Sequence, residues 1–493
     1  MATFATESLS FEGERLILVG TYGQDLGFVK GQGQGVYALR LSGSGRLTAA
    51  ADKGPLLKSE DLGMNPSYMC ASPTHPGVVY VTDERCDLEG GGRVTACRVS
   101  FDGSAGAAAS PTAAVLGPPV AAGDTSTCHV SASTGGRGFV ANYCGGGAST
   151  SGSAAALRVD AATAAVVARL PAAAAKGGGF AMAFPRAGEA GVVPERQDTG
   201  HCHMALLSGD ESAVLCRAGK GREIPSLKGS YLGRLPLVSA EFWTRDHLSE
   251  RSRRVNVCSW NTHVEATLNH PFPAQVLCPD LGADAVFRFD ASDLAAGAAL
   301  CCRCAPGDGP RHAAFHPTLD VLYVLCELSS RLLAFAVDRK TGAPLASGGG
   351  TGGAELLGAA RTLPDPCYPP AGGPANAPES TCAALRVHPN GRFAYCSNRA
   401  VGVEGLLTRF DLDPLTGAPE EDPVHLATGG ITPRDVNFAG PNADFLLAAN
   451  QDSNTIVAFR VDPDSGALTK AHSVRCPTPV CLLDLGCPAA NAA

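Results

Sequence analysis

This sequence lacks several features that would announce a function class at once. No stretch approaches the roughly 18 consecutive apolar residues of a membrane-spanning helix, and the opening MATFATESLSFEGERLILVG has no basic region leading into a long apolar run. A soluble, unexported, cytoplasmic protein with no membrane partner is therefore expected. Lys and Arg form no run and the formal net charge is -8. A polyanion-binding surface has nothing to build on, so nucleic acid is not an expected partner. Neither a G-x-S-x-G elbow nor a phosphate-cradling G-x-x-x-x-G-K-[ST] occurs, which removes support for serine-hydrolase and nucleotide-dependent mechanisms. Residues 31–35 read GQGQG, but the strand-like VYALRL follows instead of a helix, so a dinucleotide loop is not expected. No cofactor is implied.

Cysteine, by contrast, is plentiful at 19 residues. The cysteines are spread thinly, and many replace Val or Ala inside strand-like runs such as SYMCAS, VLYVLC and FAYCSN. Reduced, buried thiols are the reading that fits. Cys301, Cys302 and Cys304 cluster, yet no second Cys/His pair stands at zinc spacing, so no metal site is expected.

What the chain has in quantity is turns and a repeat. Its 59 Gly and 35 Pro are scattered throughout, as many short strands require. One unit runs from an entry marked by Pro, His or Asn through an alternating strand, a turn and a second strand to a polar or charged pair. Clear copies are NPSYMCASPTHPGVVYVTDE from 65, STCHVSASTGGRGFVANY from 126, GPRHAAFHPTLDVLYVLCE from 309, TCAALRVHPNGRFAYCSNR from 381 and TPRDVNFAGPNADFLLAANQ from 432. A second unit of period two follows each, and GVYALRLSGSGRLTAA and TIVAFRVDPDSGALTK are two of its seven copies. Two hairpins make a four-stranded blade, which cannot bury both faces alone and stacks radially on its neighbours. The fold expected is all-β, a seven-bladed β-propeller over 14–487, with 1–13 and 488–493 as tails.

The strand at 15–22 has no strand before it and the strand at 478–485 has none after it, so the two are expected to pair and close the ring. The fourth blade is interrupted. HCHMALLSGDESAVLC ends at Cys216, and the natural continuation PDLGADAVFRFD resumes at Pro279. Between them, 217–278 shows no blade pattern, holds both Trp and ends in VLC as the preceding segment does. A lid or partner-binding loop is one reading; sequence foreign to the repeat, such as a retained intron, is the one favoured here.

The segments VGTY, NPSY, CHVS with VANY, RQ followed by HCH, PDLGAD, GPRHAAFHP with ELSS, SNR, and ANQDS with VAFRVD occur in this order across the chain, and TG recurs in its turns. Together they resemble the lactonase seven-bladed propeller family, which includes propeller-type 6-phosphogluconolactonases and fungal carboxymuconate cycloisomerases. Cys326 departs from the family's usual Asn before Glu327, and STGGR at 133–137 departs from its usual turn.

The resemblance implies hydrolysis of 6-phosphogluconolactone to 6-phosphogluconate in the pentose phosphate pathway by a monomer acting on a small anionic lactone. A cycloisomerase acting on a carboxylated lactone and a non-catalytic propeller scaffold are the alternatives. Lactone opening needs a base for water, donors for the developing oxyanion and fixed positive charge for the substrate's anionic group. Such groups stand at the starts of inner strands, which converge on the central channel. His129, His203, Arg311 and His312 are the catalytic candidates, with a His as base and Arg311 on the anion or oxyanion. Arg196, Arg386, Arg399 and Arg434 are candidate substrate contacts, joined by Tyr68 of NPSY and by Glu327. His201 and His203 share a strand face and could bind zinc, but no third ligand is evident. A His of ordinary pKa would make activity fall below about pH 6.

Overall fold

The computed structural model describes residues 13–486 apart from 51–53, 86–90, 102–109, 145–151, 171–181, 184–196, 198–199, 209–242, 246–251, 255–274, 292–297, 346–352, 365–379 and 401. Seven antiparallel sheets, each with a main path of four strands, are the seven expected blades. The one helix among the described residues, Ser59–Leu62, is a single turn. No helix among them is long and apolar enough to cross a membrane.

Blade 1 runs outward from Pro479–Asp484 through Glu14–Thr21 and Gly35–Ser42 to Leu47–Ala49. The chain's two ends therefore share a sheet, with Ile17 opposite Asp484 and Val19 opposite Leu482. Blades 2 to 7 take their first strands from Pro66–Ala71, Thr125–Ala132, Leu206–Leu207, Pro310–Phe315, Ser380–Val387 and Pro433–Ala439.

Alternation along each strand sends one set of side chains into the seam before the blade and the other into the seam after it. Seven separate apolar clusters result, one per seam. Leu16, Leu18, Val79 and Val81 fill the seam of blades 1 and 2, and Tyr80, Val94, Val140 and Leu157 that of blades 2 and 3. Corresponding cores follow around the ring until Ile17, Val19, Phe445 and Leu447 join blade 7 back to blade 1. Each fully buried Leu or Phe contributes ~1.5–3 kcal/mol from removed apolar surface, and closure leaves no blade with a bare face.

Blade 4 departs from expectation. Its second strand is Gln275–Asp280, with Gln275 opposite Asp290 and Cys278 opposite Phe287. The expected insertion of 217–278 thus gives its last four residues to the blade, because QVLC beside PDLGAD supplies the same alternation as the AVLC that ends at Cys216. Apart from the short pair Trp243–Arg245 and Ser252–Arg254, the rest of that segment lies outside the described residues, as do the expected tails before 13 and after 486.

Candidate active site

The first strand of nearly every blade slips register by one residue at its entry. Pro66 faces Asp83 but Tyr68 faces Thr82; the same step passes over Cys128, Arg311, Arg434 and Val480. A bulge leaves its extra residue unpaired and re-aims the side chain. Ser67, Cys128, Arg311, Arg434 and Val480, passed over in this way, all line one cleft. His203 fills the matching place in blade 4, between the Cys202–Asp280 bridge and the strand Leu206–Leu207. Tyr68, Glu84, His312 and Asp435 complete the wall.

Each cation here is matched to a buried carboxylate, since unpaired charge is costly away from water. Arg311 Nε lies 3.0 Å from Glu327 Oε2, and Arg399 Nη2 lies 3.0 Å from Glu327 Oε1. Arg386 Nη2 donates to Asp435 Oδ1 at 3.1 Å and its Nε donates to Asn437 Oδ1. Arg434 is held more loosely. Its nearest carboxylate oxygen, on Glu84, is 3.9 Å away, while its Nη2 meets the Tyr22 hydroxyl at 2.5 Å and its guanidinium covers the Tyr22 ring. Tyr22 in turn donates to Glu84 Oε2 at 2.8 Å.

Three imidazoles differ in what they can do. Arg311 Nη1 donates to His312 Nε2 at 2.9 Å and also to the Ala383 carbonyl, so the proton of neutral His312 sits on Nδ1. His203 places Nε2 3.8 Å from Glu327 Oε2 and Nδ1 3.8 Å from Cys128 Sγ. Burial and then the Arg311 charge hold the His203 and His312 pKa values well below the ordinary histidine range, with Glu327 opposing this only for His203. The expectation of a base near pH 6.5 is corrected accordingly: these rings stay neutral into acid. His129, lowered to about 3 mainly by burial, stacks against the Tyr68 ring at 4.2 Å and accepts the Ala205 N–H at Nδ1.

Of the ten site residues expected from sequence, Tyr68, His203, Arg311, His312 and Arg434 line the cleft. His129 is not among its lining residues; Tyr68 stands over it. Glu327 is an acid that holds Arg311 and Arg399, Arg386 stands behind on Asp435, and Arg196 lies outside the described residues. His201 is not among the cleft's lining residues; it stacks on Tyr143 at 4.5 Å with Nδ1 near the Tyr143 carbonyl. Ser67, Glu84, Cys128, Asp435 and Val480 were missed. A signal existed in the repeat, because Ser67, Arg311, Arg434 and Val480 each follow a Pro at the blade entry, and Glu84 ends its hairpin as Glu327 does.

The sequence profile described as "Lactonase, 7-bladed beta-propeller" matches residues 16–222 and 259–483. The stretch it passes over, 223–258, falls inside the expected insertion. A 6-phosphogluconolactonase of Bacillus subtilis is 30% identical over 210 residues, 42% of this chain and 53% of its own length. One from Formosa agariphila is 32% identical over 197 residues, 39% of this chain and 48% of its own. The chain thus spans about half the length of these curated relatives. In fold, the periplasmic gluconolactonase of Pseudomonas aeruginosa superposes with a TM-score of 0.62 at 23% identity, covering 96% of this chain and 100% of that one. With blade count, ring closure and a profile match running nearly end to end in agreement, the chain belongs to the seven-bladed β-propeller lactonases.

Proposed function

We propose that this protein hydrolyses 6-phosphogluconolactone to 6-phosphogluconate, as a cytoplasmic monomer in the pentose phosphate pathway. The observation that carries the reading is one cleft holding a neutral imidazole, a second imidazole with a fixed N–H, and a loosely neutralised arginine. With its proton on Nε2, toward Glu327, His203 presents Nδ1 as the base. It takes a proton from water as the water oxygen bonds to the lactone carbonyl carbon. The Nδ1–H of His312, fixed by Arg311, donates to the oxygen on which negative charge develops. The ring C–O bond then breaks, and the His203 imidazolium returns its proton to the departing alkoxide. Arg434, whose carboxylate partner is the most distant of the set, is the group best able to grip phosphate. Arg311 is already committed to Glu327, His312 and a carbonyl, so it positions His312. The free thiols of buried Cys202, Cys278 and Cys382 fit a reducing compartment.

The test is a dehydrogenase-coupled assay with 6-phosphogluconolactone, subtracting spontaneous hydrolysis at each pH. Turnover well above the blank, lost in His203→Ala, is expected. A rate equal to the blank would leave a scaffold, and turnover of a carboxylated muconolactone alone would move the reading to a cycloisomerase.

A further inference from the structure

At six of the seven blades the second-strand residue that faces the entry of the first strand is a polar group: Thr21, Asp83, Asn142, Asp280, Asn398 and Asn450. In blade 5 it is Cys326. Across the seam of blades 5 and 6, Asn398 Oδ1 accepts from Thr362 Oγ1 at 2.7 Å and its Nδ2 donates to the Thr362 carbonyl at 3.0 Å. Thr362 follows the outermost strand of blade 5 and its N–H bonds the carbonyl of Ser330 in the preceding turn. The same backbone place in blade 4 belongs to Cys304, whose N–H bonds the carbonyl of Asp284. One seam therefore has a Thr–Asn hydrogen-bonded pair where its neighbour has two facing thiols.

A third group joins the thiols. Asp308, four residues after Cys304, brings a carboxylate oxygen so that the two sulfurs and that oxygen all lie within 4.8 Å of one another. All three residues are buried, at 5%, 2% and 0% exposure for Cys304, Asp308 and Cys326. The carboxylate is already oriented: Oδ2 accepts the Ala305 N–H at 2.8 Å, and Oδ1 has Arg331 Nη1 at 3.5 Å. Such outer contacts are what fix a ligating carboxylate. Two sulfurs on one tetrahedral zinc sit roughly 3.8 Å apart given Zn–S bonds of about 2.3 Å, a spacing inside the 4.8 Å that bounds this cluster.

We propose that Cys304, Asp308 and Cys326 form a binding site for a thiophilic divalent cation, zinc by chemistry, that clamps the seam between blades 4 and 5. Two thiolates and a carboxylate suit a borderline-soft ion and disfavour magnesium or calcium, which want oxygen alone. Three protein ligands leave one position for water. Binding converts two S–H groups to two metal–sulfur bonds and releases two protons, so affinity rises with pH. Cys301 and Cys302, which cluster with Cys304 in sequence, take no part; Cys301 Sγ faces the Gly342 carbonyl at 3.8 Å.

The experiment uses the full chain, stripped with a chelator, kept reduced and titrated with Co²⁺. A thiolate charge-transfer band in the near ultraviolet, with tetrahedral d–d absorption, should saturate at one equivalent and be displaced by Zn²⁺. The double variant Cys304→Thr/Cys326→Asn rebuilds the Thr–Asn pair of the next seam and should fold, yet show no band. Cys301→Ser should keep it. Zn²⁺ should raise the Tm of the wild type and leave that of the double variant unmoved. Wild type without the band, or the double variant retaining it, would overturn the site.

Discussion

His203 and Arg434 divide the chemistry at the scale of single residues. His203→Ala removes the base and should lower kcat by ~10²–10⁴-fold, the usual worth of a positioned general base, with the fold and KM little changed. Arg434→Ala removes a charge-assisted contact worth ~1.5–3 kcal/mol, and that loss should appear as a raised KM if the contact holds the remote phosphate. Steady-state kinetics of the two variants separates these roles; a kcat defect in Arg434→Ala and a KM defect in His203→Ala would exchange them. The pH profile follows from burial. Because the His203 pKa is pushed well below the usual range by desolvation and Arg311, the base is already unprotonated at pH 6. The plateau of kcat/KM should extend below that pH, and an acid limb centred near 6.5 would show that the cleft is wetter than this.

Within and between elements, the ends of the chain are held by one ion pair as well as by strand pairing. Arg15 Nε meets Asp484 Oδ2 at 2.6 Å with both side chains buried, and Asp484 also accepts the N–H groups of Gly440 and Gly486. The carboxylate therefore ties blade 1 to blade 7 as well as to the N-terminal strand. Arg15→Leu strands a buried charge and should cost ~3–5 kcal/mol in urea unfolding, while Arg15→Leu/Asp484→Asn should recover much of it. Equal midpoints for wild type and the single variant would remove this pair from the account of closure. The bulged entries carry a second consequence. Their imidazoles are neutral when folded, whereas in the unfolded chain each returns to about 6.5 and takes up a proton. Stability from this source is complete above about pH 7 and is lost as pH falls below 6.5, down toward about 3 for His129. Asp280 opposes it, because burial raises its pKa to about 6 and the folded state gains as it protonates; Asp284, Asp435 and Asp484, raised by the same cause, act alike. Between pH 7.5 and 4.5 the urea midpoint of the wild type should fall relative to that of His129→Gln. Parallel slopes for the two proteins would contradict the burial of that ring.

For the whole molecule, the ring tolerates what the fourth blade carries because the interruption leaves between the first and second strands and returns in register. Deleting 217–278 should place residues 213–216, AVLC, where Gln275–Cys278 now pairs with Phe287–Asp290, keeping soluble yield and cooperative unfolding. Loss of folding on deletion would make the segment part of the ring's stability. Blade number and the pairing of the chain ends were legible in the sequence, since period-two alternation and turn residues are local and repeat seven times. The cations and imidazoles of the cleft were legible too, because such groups at strand entries are rare enough to stand out. Which of them face the cleft was not. His129 and His312 occupy equivalent places one residue after a bulge, yet Tyr68 covers the first and Arg311 turns the second inward. Likewise Cys301, Cys302 and Cys304 are neighbours in the chain, but the ring brings only Cys304 to Cys326 and Asp308. Sequence alone sets the strands and the repeat, through alternation and turns; the direction of a side chain at a bulge, and its neighbours across a seam, are decided only when the seven sheets pack against one another.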